Sequence, residues 1–149
     1  MLINHERDIM PDYAIHNGSW DDLAIDAKKV RTVVFIQEQN IAENDEWDAE
    51  DEKCLHFVMY DKNQAISTAR LLENNSIGRV AVLKNYRGQG IGQQLMQHII
   101  AVAVTEQRDF LKLSAQVYAI GFYENLGFKL RGDPYLDCGI PHVDMYMNI

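Results

Sequence analysis

Three glycines alternate with other residues in Arg87-Gly88-Gln89-Gly90-Ile91-Gly92, directly between an apolar run ending at Leu83 and a helical stripe beginning at Ile91. A strand–loop–helix unit is the reading this spacing imposes, because glycine alone enters left-handed backbone without steric cost. The first N–H groups of the following helix have no intrahelical partner, so the loop and helix start form a natural anion site, with Arg87 adding positive potential. Two common phosphate motifs fail on inspection. A P-loop requires Gly-Lys-Ser/Thr, but Gln93 and Gln94 follow Gly92. The dinucleotide fingerprint requires a third glycine where Gln93 stands.

The rest of the chain arranges itself around this unit. Ser19 is a candidate N-cap, with Asp21 and Asp22 in the first turn, and Leu23, Ala27, Val30 and Val34 form one inward stripe, predicting a helix to about Phe35. Strands are expected over 55–60, 65–72 and 77–83, separated by turn-forming segments, which makes an antiparallel meander. A long helix follows from Ile91 to about Gln107, then a strand over 111–115, a short helix over 119–126 closed by Gly127, and a last strand over 142–147 completing a terminal hairpin. The fold class expected is α+β, a twisted mixed, mostly antiparallel sheet flanked by helices. Residues 1–149 read as one domain, with 1–10 as a loosely attached N-terminal extension.

Six acidic residues crowd positions 44 to 53, and like-charge repulsion predicts a solvated, irregular loop whose field draws a cationic acceptor. Calcium is disfavoured there, because the sixth loop position counted from Asp45 is Glu50 rather than glycine. The formal net charge of -8 also argues against nucleic acid as a partner. Cys54 and Cys138 lie far apart outside any ligand pattern, so neither a metal site nor a redox pair is expected, and reduced thiols suit the cytoplasm. No apolar stretch approaches the roughly eighteen residues needed to span a bilayer, so neither membrane nor export is indicated.

Arg87-x-x-Gly90-x-Gly92, following Arg79-Val80-Ala81-Val82-Leu83, resembles the R/Q-x-x-G-x-G/A signature of the GNAT superfamily of N-acetyltransferases. Ala119-x-x-Phe122-Tyr123-x-x-Leu126-Gly127-Phe128 resembles the second GNAT motif. Glu38-Gln39, Asp45-Glu46, His56-Phe57, Thr68-Ala69-Arg70, Ser114-Ala115-Gln116 and Gly139-Ile140-Pro141-His142 are similar to the ElaA-like branch, so the likeness runs from about Val30 to the C-terminus.

The resemblance implies acetyl-CoA as donor co-substrate and a primary amine of an unidentified small molecule or peptide as acceptor, joined by direct attack without metal. It implies that Val80, Ala81 and Val82 meet the pantetheine arm and that Arg87, Gly88, Gln89, Gly90, Ile91, Gly92 and Gln93 hold the pyrophosphate. Gln116 matches a further coenzyme contact. Tyr123 matches the general acid that protonates the departing thiolate. A base is also needed, and His142 is the first choice because imidazole titrates near neutrality; Glu46, Asp45, Glu38 and His56 stay open as bases or acceptor contacts, and Arg70 as an orienting cation. Each of these has a plain structural alternative: Tyr123 as a core aromatic, His142 as a turn residue, Arg70 as half of an ion pair. A homodimer through exposed strand edges is compatible with the pattern. The alternative function is a non-catalytic acyl-CoA sensor or subunit.

Overall fold

A computed structural model describes residues 13–149 of the chain; the expected extension over 1–10 lies outside the described residues. Among the described residues, seven strands form one sheet in the order β1-β2-β3-β4-β5-β7-β6. They are β1 (Ala14–Gly18), β2 (Leu55–Asp61), β3 (Gln64–Leu71), β4 (Ser76–Val82), β5 (Phe110–Gln116), β6 (Lys129–Asp137) and β7 (Ile140–Asn148). Every neighbouring pair is antiparallel except β4 with β5.

Helices cover both faces of the sheet. Helix α1 (Trp20–Arg31) starts where Ser19 accepts a hydrogen bond from the Asp22 N–H at 3.3 Å, and its stripe of Leu23, Ala27 and Val30 packs with Val34 and Phe35 on Val58, Ala65 and Ala81. Rather than stopping near Phe35, the helix widens into a π-helical turn over Thr32–Glu38. That wider turn carries Glu38 and Gln39 toward the sheet, a local distortion typical of functional sites. A short helix α2 (Glu43–Glu46) follows. Helix α3 (Ile91–Thr105) lies on the opposite face, where Leu95, Met96, Ile99 and Ala103 meet Phe57, Leu71, Leu111 and Leu113. Alternation explains the division: Phe57 and Val58 are neighbours in β2 but serve different cores. Helix α4 (Ile120–Asn125) ends at Gly127, whose φ of 107° confirms the left-handed stop.

The acidic segment departs in part from expectation. Most of it is exposed, as expected, but it forms two short helical turns and buries Glu46 and Asp51: Arg31, itself 1% exposed, donates to Glu46 Oε2 at 2.8 Å and Asp51 Oδ1 at 2.7 Å. Arg70 donates to Asp48 Oδ1 at 2.6 Å and Asp51 Oδ1 at 2.8 Å. Burial pushes Asp51 upward, but the two guanidiniums outweigh it and hold the carboxyl below its usual range. The hydrogen bonds from Arg70 hold Asp48 at about 2 against partial burial. Cations from distant elements therefore offset the repulsion at Glu46, Asp48 and Asp51 and pin 43–53 against the sheet.

Candidate active site

Strands β4 and β5 pair only at Ser76 with Lys112 and Ile77 with Leu113, and then separate. The cause is in β4. Its register on β3 shifts between Thr68 and Arg70, and Arg79 sits at a φ of 51°, a conformation a non-glycine residue adopts only when held there. The holding contacts run from the Arg79 guanidinium to Glu46, at 3.0 Å to its carbonyl and 3.1 Å to its carboxylate. This bulge turns the rest of β4 away from β5, leaving a cleft in the middle of the sheet.

The Leu83 N–H donates to Ile66 O across the β3 side at 2.9 Å, so by alternation the main-chain groups of Val82 and Val80 point into the cleft while those of Ala81 point to Thr68, its partner in β3. Beyond β4, Gly88 and Gly90 adopt φ of 78° and 80°, and Gly90 caps α3 without any side-chain acceptor. The first helical bond is from Gln94 N to Gly90 O at 3.0 Å, and no acceptor of the described residues meets the N–H groups of residues 88–93. With no acid in the first turn of α3, this cluster of donors is suited to a dianion. A Cβ at Gly92 would come within 3.3 Å of the Phe122 ring, so this glycine also lets α3 approach α4 closely.

Cleft and loop open into one cavity of about 610 Å³. Tyr123 lines it from α4; burial raises its hydroxyl above the ordinary tyrosine value, so it stays protonated well past neutral pH. His142 also lines it, from β7, and is 9% exposed. Its Nδ1 is 2.7 Å from Ile140 O, and since a carbonyl only accepts, Nδ1 is the donor there and Nε2 is the nitrogen left for another partner. Gln116, at the end of β5, exchanges amide hydrogen bonds of 3.0 and 3.3 Å with Gln39, strapping the π-turn across the cleft.

The other expected residues divide into two groups. Asp45 is exposed on the cavity wall, beside the turn that holds Cys138. Glu46 also borders the cavity, but its carboxylate is committed to Arg31 and Arg79, so it is withdrawn as a free base; burial, the largest influence, raises it despite both cations. Glu38 is bound by Arg87 through bonds of 2.6 and 2.8 Å and is likewise not a free acceptor contact. His56 and Arg70 lie outside the cavity wall. His56 is buried and donates to Asp51 O at 2.8 Å, with burial lowering its pKa, and Arg70 is locked to Asp48 and Asp51. Neither side chain lines the cavity, and each is held by partners within the fold. Arg79 and Ser114 were missed as wall residues; both sit on strands whose divergence no local pattern announces, although Ser114 flanks Gln116 at the alternating position.

A half-split sheet with an amide-lined helix start beside it defines a thioester-dependent acyltransferase architecture. Comparison with known proteins agrees: residues 24–149 match the model of the acetyltransferase (GNAT) domain family. The chain belongs to the GNAT family of acetyltransferases and is an acyl-CoA-dependent acyltransferase. It is 35% identical over 130 residues to the uncharacterised protein YyaT of Bacillus subtilis, covering 83% of this chain and 88% of that one. The crystal structure of an acyl-CoA N-acyltransferase from Pseudomonas aeruginosa superposes with a TM-score of 0.83 at 29% identity, over 91% of this chain and 99% of the other. Escherichia coli ElaA superposes with a TM-score of 0.82 at 27% identity, over 90% and 99%. The expected superfamily and its ElaA-like branch are therefore correct. No helix of the described residues is long and apolar enough to cross a membrane.

Proposed function

We propose that the protein transfers an acetyl group from acetyl-CoA to a primary amine by direct attack within the β4–β5 cleft. The observation that carries this reading is the continuity of the β4 edge, which has no strand partner beyond Ile77, with the unsatisfied N–H groups of 88–93. The thioester supplies an activated carbonyl; all else falls to the chain. Val80 offers strand-type hydrogen bonds to an extended amide-bearing arm, and the Val82 N–H, whose own carbonyl is taken by Arg87, polarises a carbonyl placed in the cleft. Residues 88–93 take the diphosphate on backbone donors, with Ile91, Gly92 and Gln93 adding the positive end of α3.

Tyr123, protonated and buried at the cavity wall, is the proton donor to the leaving sulfur. His142 is the acceptor-side base: the Nδ1 contact to Ile140 O leaves Nε2 as the nitrogen that takes the proton. Gln116 positions the arm from the β5 side while held by Gln39. Asp45, at the rim, meets the acceptor.

Thiol release from acetyl-CoA, screened against polyamines, amino acids, aminoglycosides and peptides, tests the reading. Amine-dependent release is expected with at least one class. Coenzyme binding with no release across the panel would favour a sensor or non-catalytic subunit instead.

A further inference from the structure

The face of β5, β7 and β6 that points away from α3 carries a regular cross-strand grid. Gln116 pairs with His142 and His142 with Tyr135; Ser114 pairs with Asp144 and Asp144 with Arg131; Lys112 pairs with Tyr146 and Tyr146 with Lys129. Registered neighbours share a face, so the row of His142 at the cavity is followed, one step down the strands, by Ser114 and then by a row holding two lysines. In a chain of net charge -8, this patch holds three cations and one carboxylate.

That carboxylate forms no ion pair with them and offsets one of the three charges. Asp144 accepts from the Tyr135 hydroxyl at 2.7 Å, and the same hydroxyl is in contact with Ser114 Oγ. Arg131, although opposite Asp144, makes no ion pair with any carboxylate of the described residues; its guanidinium lies 6.0 Å from the Tyr146 ring centre. Lys112 and Lys129 likewise have no acidic partner among the described residues. A second cavity of about 500 Å³ lies over this grid, with Lys112, Arg131, Tyr146 and the Tyr135-bonded Asp144 in its wall, two cations against one carboxylate. It shares Ile77, Leu113 and Ser114 with the cavity of the cleft, so the two join where β4 and β5 part.

We propose that this second cavity is the subsite for an anionic group on the acyl acceptor, so that the acceptor is an amine joined to a carboxylate, an aminocarboxylate. Lys112 and Arg131 bind the anion, and Ser114, oriented by Tyr135 and Asp144, marks the crossing into the cleft where the amine meets His142. Two residues along a strand span about 7 Å, which sets the separation between Ser114 and the lysine row and favours a linker of several carbons. This inference rests on the acyl-transfer reading of the cleft and names the chemical class of its acceptor.

The test titrates CoA-saturated, ¹⁵N-labelled protein with 4-aminobutanoate and 6-aminohexanoate, and with n-butylamine and n-hexylamine as the same chains without the anion. Amide shifts over 112–116, 129–135 and 142–146 are followed in wild type and in Lys112→Gln/Arg131→Gln. At least one aminocarboxylate should bind about tenfold more tightly than its matched alkylamine, and the double variant should abolish that difference while leaving the alkylamine unaffected. No preference for the aminocarboxylates, or a preference that survives the double variant, would overturn the proposal. So would shifts over this face that follow protein concentration alone, which would give it to a second copy of the chain. A parallel CoA titration reads the amides of 80–93; their failure to respond would overturn the coenzyme site itself, a result separable from any outcome on the β5–β7–β6 face.

Discussion

Arg87 grips Glu38 through two hydrogen bonds of 2.6 and 2.8 Å while its Nε donates to Val82 O at 2.9 Å. One side chain thus joins the π-turn, the free end of β4 and the glycine loop. The same contact lowers Glu38 and raises Arg87 from their ordinary values. Arg87 therefore contributes less positive potential to a diphosphate than its charge alone suggests.

Glu38→Gln removes the negative charge next to the loop but keeps a hydrogen-bonding side chain. CoA affinity measured by calorimetry at low ionic strength should rise about threefold and return toward wild type as salt screens the exposed pair. Stability should hardly change, since exposed pairs contribute about 0–1 kcal/mol.

Tyr123→Phe removes the proposed proton donor without changing the shape of the α4 packing. Turnover should fall about a hundredfold or more, in the range general acids supply, with acetyl-CoA affinity within about twofold of wild type. Single-turnover thiol release beside calorimetry separates the two quantities; undiminished turnover would remove Tyr123 from the chemistry.

Much of this architecture was legible in the chain because it is local. Alternation in β2 to β4, the 3.6-residue stripe of α3 and the spacing of Gly88, Gly90 and Gly92 each act within a few residues, and each appears where expected. The acidic segment was only partly legible because its partners are remote: Arg31, Arg70 and Arg79 lie 15 to 33 positions from the groups they neutralise. The expected terminal hairpin is present, but its first strand, β6, had no readable bounds, since Gly132 and Pro134 interrupt the alternation and every residue of β6 is exposed. Nor does any local signal announce the bulge at Arg79. It is set by a tertiary contact to Glu46, and the cleft follows from it.

Arg31→Leu tests whether buried charge or local propensity holds the 43–53 segment. It leaves buried Glu46 with Arg79 and buried Asp51 with Arg70 as their remaining cations, and removing one member of a buried pair costs about 3–5 kcal/mol. Urea unfolding should report a destabilisation of that order, and a change below about 1 kcal/mol would show that the segment is held by other means.

Acid stability carries a second signature of the network. The folded pKa of Asp48, at about 2, lies below its ordinary 3.8, so its stabilisation is complete above that ordinary value and is lost as pH falls through the folded one. Glu46, raised by burial, acts in the opposite sense. Asp48→Asn should flatten the decline of stability between about pH 4 and 2 relative to wild type, as followed by chemical denaturation at each pH.

The most direct measurement is an amide-resolved NMR titration of the protein with CoA. Saturable shifts confined chiefly to Val80, Val82 and residues 88–93 are predicted, at one molecule per chain. Saturation with those amides unmoved, or no saturation at all, would contradict a coenzyme held by the open edge of β4 and the start of α3.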